Sequence, residues 1–86
     1  MTFKKHVEEI IQNEVLSVVR QQGYVLETEN CTMICEKYNI SLYIVRATLR
    51  RIYPEMSLLK RRMSDDLKRF YGLEVKGYPI AYLPDK

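Results

Sequence analysis

The stretch that decides the fold runs from residue 31 to residue 52 and reads CTMICEKYNISLYIVRATLRRI. In its first part, Ile34, Cys35 and Tyr38 recur at a spacing that places them on one face of a helix. A tight turn is predicted next, because Asn39 tolerates the left-handed conformation that ends a helix and Ser41 can cap the following one. Ile40 would fill the angle between the two helices. The stretch therefore predicts helices over residues 31–38 and 42–53, joined by a sharp corner.

The second of these helices is amphipathic, with a basic outer face. At about 100° per residue, its apolar positions Val45, Leu49 and Ile52 fall together, and Thr48 lies among them. The opposite face and its flanks carry Tyr43, Arg46, Ala47, Arg50 and Arg51. Guanidinium forks can bond guanine edges or phosphates, so this face predicts the second, recognition helix of a DNA-binding helix-turn-helix. An ordinary amphipathic helix with a solvated basic face is the alternative.

Candidate contacts with DNA fall into two groups. Arg46 and Arg50 are the candidates for base readout, and Tyr43 could pack against a thymine methyl group or bond a phosphate. Ala47 is small enough to let the helix approach the groove closely. Backbone contacts are predicted for Ser41 and the basic run Lys60-Arg61-Arg62, which would hold phosphates without reading sequence. That run is equally well explained as a solvated helix face. Arg51, on the flank of the outer face, is a further candidate for DNA contact.

Around this motif the chain resembles a known family, the stage III sporulation protein D type of helix-turn-helix transcription regulator. The resemblance begins at residues 24–28 (YVLET) and includes Ile34, Cys35, Lys37, Tyr38, Ile40, Ser41, Val45, Leu49 and Pro54-Glu55, so that it covers roughly residues 24–70. It implies a small bacterial protein that binds DNA and activates or represses transcription. This chain departs from the family pattern by one residue fewer between Thr28 and Ile34, by Asn39 in place of a usual Gly, and by its C-terminal segment. Residues 44–52 are also similar to recognition helices of winged-helix repressors.

The length of the chain predicts one small domain, and its charge distribution predicts binding to a polyanion. The chain has 86 residues, 47% hydrophobic and 29% charged, which is enough for one modest core. The net charge of +3 is unevenly distributed, since residues 31–62 hold seven basic residues against two acidic ones while residues 1–30 hold three against five. Positive charge therefore concentrates on the helix-turn-helix stretch, as expected of a DNA-binding protein.

Several other classes of protein are disfavoured. No apolar run reaches the ~20 residues of a membrane span and the N-terminus does not resemble a signal peptide, so a cytoplasmic, nucleoid-associated protein is predicted. Cys31 and Cys35 are most simply reduced core side chains, and with His6 as the only histidine no metal site is predicted. Nothing suggests an enzyme or a cofactor, because no phosphate-binding loop or nucleophile with a base is present and Asp65 and Asp66 would point to different helix faces.

The flanking segments predict helices on both sides of the motif. Apolar residues recurring through residues 3–22 predict a long helix stopped by Gly23, whose outer positions Leu16 and Val19 would either pack in the core or form a dimer contact. Residues 24–27 are β-prone, as a short strand or an extended link, and Thr28 or Asn30 could cap the next helix. A fourth helix is predicted from Pro54 to Tyr71, ended by Gly72, because one face collects Met56, Leu59, Met63, Leu67 and Phe70. The residues 64–66 (SDD) could interrupt it.

The C-terminal segment admits two interpretations. Residues 73–75 and 78–83 could form a hairpin, the wing of a winged helix, with Lys76 at its tip near the DNA backbone. Pro79 argues against a central strand and permits an edge one. Alternatively these residues form an irregular tail whose Tyr78, Ile80, Tyr82 and Leu83 pack on the helices, and this interpretation is preferred.

Together these observations predict a mainly α-helical fold, a bundle of about four helices with an optional C-terminal hairpin. The whole of residues 1–86 would form a single helix-turn-helix DNA-binding domain, with its core at 31–53 and a tail or wing at 73–86. Double-stranded DNA is the predicted partner, and a homodimer and contact with RNA polymerase are left open. The rival function is a protein-interaction module, for example a mobile-element protein that binds a host factor, which seven tyrosines would suit. RNA binding is less favoured, because no aromatic pair on a strand offers a stacking surface.

Overall fold

The computed structural model describes residues 3–85. Within this range, four α-helices pack around a small antiparallel sheet. The elements, in chain order, are α1 (Phe3–Gln22), β1 (Val25–Leu26), α2 (Glu27–Tyr38), α3 (Leu42–Ile52), a 3-10 turn (Tyr53–Met56), β2 (Leu58–Arg62), α4 (Asp65–Tyr71) and β3 (Ile80–Pro84). The predicted fold class, a mainly helical bundle of about four helices, is confirmed, and a small three-stranded antiparallel sheet packs with the helices. Residues 1, 2 and 86 of the predicted domain lie outside the described residues.

The first helix supplies the back of the main core. Val7, Ile11, Val15 and Val18 are buried along one face, which is why the helical spacing was a reliable signal. The helix ends where predicted, at Gly23, which adopts a left-handed φ of 88° and donates its N–H to the Val19 carbonyl at 2.8 Å. Val19 itself packs against the core.

The helix-turn-helix is also confirmed. Asn39 takes the left-handed conformation (φ 55°, ψ 44°), and the N–H groups of Asn39 and Ile40 both donate to the Cys35 carbonyl. Ile40 packs against the core, and Ser41 occupies the N-cap position of α3 without making a side-chain cap hydrogen bond. On α3, the four buried residues are those expected from the sequence, Val45, Thr48, Leu49 and Ile52.

The helix before the turn is longer than the sequence indicated. It begins at Glu27, not at Cys31, and its N-cap residue is Leu26. Neither Thr28 nor Asn30 caps it from outside. Instead Asn30 lies within the first turns of the helix, where its buried Oδ1 accepts the Leu26 N–H at 2.8 Å and joins β1 to α2.

Three short strands form a sheet in the order β1-β3-β2, with both pairings antiparallel. One face of this sheet points into the helical core through Val25 and Tyr82. The other face carries Leu26, Ala81 and Leu83, which pack with Met63 into a second cluster covered by Leu67 and Tyr71 around α4. The sheet is therefore covered on one side by α1–α3 and on the other by α4.

The single helix predicted from Pro54 to Tyr71 is wrong. Ser57 adopts a left-handed φ of 58° after the 3-10 turn, and residues 58–62 then pair with β3 as a strand. Ser64 starts a separate helix, α4, as its Oγ accepts the Leu67 N–H at 3.2 Å, so the interruption considered at residues 64–66 is the start of that helix. The apolar positions matched a helical spacing, but pairing with a strand distant in sequence decided the conformation.

The C-terminal segment matches neither interpretation in detail. Residues 73–75 form no strand, so they cannot pair with β3 as a hairpin. The neighbours of β3 in the sheet are β1 and β2, and Lys76 is therefore not at a hairpin tip. The preferred irregular tail is wrong for residues 80–84, because β3 is the central strand of the sheet. Pro79 is compatible with this because it precedes the strand, while Ile80, Tyr82 and Leu83 pack as expected and Tyr78 stays 53% exposed.

Candidate nucleic-acid interface

The outer face of α3 is open and chemically varied. Tyr43 is 79% exposed and Ala47 is exposed one turn further on. Together with Leu42, Arg46 and Arg50, these residues line a depression of about 370 Å³ on the outer face of the helix. A phenol, a methyl group and guanidinium groups are therefore presented side by side, on a helix whose opposite face is fully buried.

One of the predicted base-reading residues has a partner inside the protein. Arg50 donates from Nε to Oε2 of Glu27 at 2.9 Å and from Nη2 to Oε1 at 2.8 Å. The Glu27 side chain is only 3% exposed, whereas that of Arg50 is 45% exposed. Because Tyr82 also donates its hydroxyl to Glu27, the start of α2, the end of α3 and the central strand β3 are joined by one carboxylate.

Protonation states in this network follow from the geometry. The hydrogen bond from Arg50 is the main cause that lowers the pKa of Glu27 to about 2, against the opposing effect of burial and with help from Tyr82. Conversely, the pairing with Glu27 raises the pKa of Arg50, and burial and the bond to Glu27 raise the pKa of Tyr82. Glu27 is thus an anion at neutral pH, fixed between a guanidinium and a phenol.

The remaining arginines of α3 differ in how strongly each is bound to other groups of the protein. Arg46 approaches Glu27 only to 3.9 Å, and no hydrogen bond joins the two side chains. Its side chain is 41% exposed beside the depression. Arg51 is turned toward α1, where it forms an ion pair with Glu8. Arg46 is therefore the α3 guanidinium with the most hydrogen-bonding capacity left for an external ligand.

The basic run Lys60-Arg61-Arg62 lies on strand β2 and not on a helix, so the solvated helix face considered for it is wrong. Lys60 stands opposite Tyr82 and Arg62 opposite Ile80, so both basic residues share the sheet face that points toward the helical core. Arg61 stands opposite Ala81 on the other face. All three are exposed, and Arg62 donates to the Tyr78 carbonyl at 2.9 Å. The run is thus divided between the two faces of the sheet.

Sequence reasoning missed Glu27 and Tyr82. The sequence predicts that Glu27 belongs to a β-prone segment and that Tyr82 packs on the helices. In the structure, the two residues form the polar centre that orients Arg50. No local pattern marks Glu27 as buried, because glutamate is mostly exposed in proteins and needs a cationic partner where it is buried. Which arginine would supply it could not be read from the chain.

Other types of site find no support in residues 3–85. Within that range, no three side chains of His, Cys, Asp or Glu are grouped as metal ligands would be. Cys31 and Cys35 are free thiols, and burial raises the pKa of Cys31 to about 12, which makes it unreactive at neutral pH. No helix among the described residues is long and apolar enough to cross a membrane.

Comparisons with protein-family models, curated proteins and solved structures found no match to this chain. The resemblance to the stage III sporulation protein D type therefore depends on the residues quoted for it.

Proposed function

We propose that this protein binds double-stranded DNA in a sequence-specific way and regulates transcription, with α3 entering the major groove. The observation that carries the proposal is the exposed face of α3, where Tyr43, Arg46 and Ala47 surround one depression. The proposal is further supported by the way α3 is held in the fold. The helix buries Val45 and Leu49 in the core, and its Arg50 bonds Glu27. A rigid helix with a polar and small-residue face is what major-groove readout requires.

The geometry suggests a division of roles along α3. Arg46 is the proposed reader of a guanine edge, because its guanidinium has the weaker internal partner. Tyr43 and Ala47 would lie against base edges or a thymine methyl group. A base contact by Arg50 stays a prediction, and it would require giving up two hydrogen bonds to a buried carboxylate. We therefore assign Arg50 chiefly to positioning the helix.

Phosphate contacts are proposed on both sides of α3. Ser41 at the helix N-terminus and Arg51 near its C-terminus would hold one stretch of backbone. Lys60 and Arg62, on the sheet face shared with Tyr82, would hold another, with Arg61 on the opposite face contributing charge. Binding as a homodimer, contact with RNA polymerase and a cytoplasmic, nucleoid-associated location belong to the same proposal.

The test is selection from a random double-stranded DNA pool, with sequencing of the retained fraction at two salt concentrations. Wild type is compared with Arg46→Ala, and Arg20→Ala on α1 is the control because it removes the same charge outside the proposed interface. An enriched sequence motif that Arg46→Ala loses and Arg20→Ala keeps would support readout by α3. Retention without a motif, lost at higher salt, would reduce the proposal to non-specific phosphate attraction. No retention would refute it.

A second candidate function, a protein-interaction module, is favoured by one observation. Phe70 on α4 is 79% exposed although its ring contacts that of Tyr71, and an exposed aromatic side chain of this size can anchor a protein partner. If the DNA selection retains nothing, Phe70→Ala should be compared with wild type for binding of candidate host proteins.

A further inference from the structure

Strand β2 leaves one edge of the sheet open. It is the last strand in the order β1-β3-β2, and it pairs only with β3. The Met63 N–H donates to the Pro79 carbonyl and the Asp85 N–H to the Ser57 carbonyl, which identifies the odd-numbered residues of β2 as the ones that bond β3. The N–H and C=O groups of Leu58, Lys60 and Arg62 therefore point away from the sheet.

The outward groups of the exposed residues Lys60 and Arg62 are free to bond another strand, whereas Leu58 is only 4% exposed. In the described part of the chain, the backbone N–H groups of Leu58, Lys60 and Arg62 donate no hydrogen bond. The same alternation explains why Pro84 is tolerated at the end of β3. Pro84 stands opposite Leu58, and at this pair no backbone hydrogen bond joins β2 to β3. A strand added to β2 would extend the sheet to four strands without breaking any existing bond.

Charge decides what kind of strand fits. Lys60, Arg61 and Arg62 are consecutive and exposed on the open edge, beside Leu59, which is 44% exposed. Pairing of β2 with β2 of a second copy would bring these cations together, which is the usual way that charged edges prevent self-association. An acidic strand would form ion pairs at the same positions and could cover Leu59 with an apolar side chain.

We propose that the β2 edge binds an extended acidic segment of another protein by adding it to the sheet as a fourth strand. Acidic residues at alternate positions of that segment would stand beside Lys60 and Arg62 on one face, with apolar residues beside Leu59 on the other. The acidic segment would compete with DNA phosphates for Lys60 and Arg62, and the proposal does not depend on DNA binding.

The direct test measures backbone pairing with a defined peptide, acetyl-Thr-Glu-Val-Glu-Val-Glu-Thr-amide, by amide hydrogen exchange in the NMR spectrum of the full chain. The amides of Lys60 and Arg62 should gain protection when the peptide is added. Those of Leu59 and Arg61 should change little, because they already bond β3. Binding that leaves the amides of Lys60 and Arg62 unprotected would overturn the proposal, and so would the absence of binding.

A control peptide separates pairing from charge. Acetyl-Thr-(N-methyl-Glu)-Val-(N-methyl-Glu)-Val-(N-methyl-Glu)-Thr-amide carries the same side chains, but its glutamates, which would stand opposite Lys60 and Arg62, have no backbone N–H to donate. It should bind at least about tenfold more weakly than the first peptide, since each lost backbone hydrogen bond contributes roughly 0.5–1.5 kcal/mol. Equal binding of the two peptides would show attraction by charge alone and would refute strand addition.

Two variants of Lys60 separate the contribution of charge from that of backbone hydrogen bonding. Lys60→Gln removes the charge and keeps the outward N–H, whereas Lys60→Pro removes both and sacrifices no bond to β3. We expect a weaker affinity for Lys60→Gln and a further loss of about tenfold for Lys60→Pro. Equal affinities of the two folded variants would contradict the proposal. Because no DNA is present, these outcomes are independent of whether α3 binds DNA.

Discussion

Glu27, the first residue of α2, and Arg50, in the last turn of α3, form a two-point ion pair around an almost completely buried carboxylate. They lie 23 positions apart in the chain, and the pair sets the distance between the start of one helix and the end of the other. Tyr82 adds a third bond from the central strand. The exposed face of α3 is thus held by a polar contact as well as by core packing.

This pair should contribute measurably to stability, unlike an exposed pair of the same residue types. A double-mutant cycle with Glu27→Gln and Arg50→Met should give a coupling free energy within the roughly 0.5–3 kcal/mol typical of interacting residues. The control is the cycle of Glu8→Gln with Arg51→Met, an exposed ion pair that should couple by less than about 1 kcal/mol. Urea denaturation measures both. A larger coupling for the exposed pair would contradict this assignment.

Stability should fall in acid because of the same carboxylate. The pKa of Glu27 is about 2 in the folded protein against an ordinary 4.5, so the unfolded chain takes up the proton first as pH falls. Its contribution is complete above pH 4.5 and is lost progressively toward pH 2, by roughly 3 kcal/mol. Chemical denaturation across this range checks the prediction. Glu27→Gln should show a shallower dependence on pH, and an unchanged slope would count against it.

Two serines at helix N-caps should differ in importance. Ser64 accepts a hydrogen bond from the Leu67 N–H, whereas Ser41 makes no side-chain cap bond. Ser64→Ala should therefore lower the free energy of unfolding by about 1 kcal/mol, and Ser41→Ala should change it by less than about 0.5 kcal/mol. Denaturant titrations of the two variants provide the comparison, and a reversed order would show that the caps are misassigned.

The corner between α2 and α3 depends on a left-handed residue. Asn39 has a φ of 55°, a conformation that costs a residue with a β-carbon roughly 1–2 kcal/mol and costs glycine little. Asn39→Ala should therefore destabilise the protein, while Asn39→Gly should be neutral or stabilising. Thermal unfolding ranks the three proteins. The expectation fails if Asn39→Ala is as stable as Asn39→Gly.

Within the proposed function, side chains on α3 and on β2 should have different effects on DNA binding. Arg46→Ala should cost roughly 1–3 kcal/mol and relax specificity at one base pair. Lys60→Gln should weaken binding to all sequences alike and reduce the slope of log affinity against log salt by about 1. Affinities for a selected site and for a scrambled site, at several salt concentrations, distinguish the two. A uniform loss for Arg46→Ala would remove it from base readout.

Local patterns were enough to predict the elements whose buried faces repeat in sequence. The helix over residues 3–22, the left-handed turn at Asn39 and the four buried positions of α3 were all predicted correctly. Each depends on residues within a few positions of one another, so periodicity and turn preferences are sufficient. The strand β2 was mistaken for helix because Met56, Leu59 and Met63 also fit a helical spacing, and its true partner lies some twenty residues further along the chain.

The sequence by itself determined the helical frame, the corner and which side of α3 would face solvent, because these follow from apolar spacing and backbone preferences. Only the tertiary structure decided how the exposed polar side chains would be used. A buried carboxylate must find a cation, and the fold brought Arg50 to Glu27 and left Arg46 freer beside it. Pairing with β3 likewise turned Lys60, Arg61 and Arg62 into an open strand edge, since strand partners are chosen by contacts that no local pattern contains.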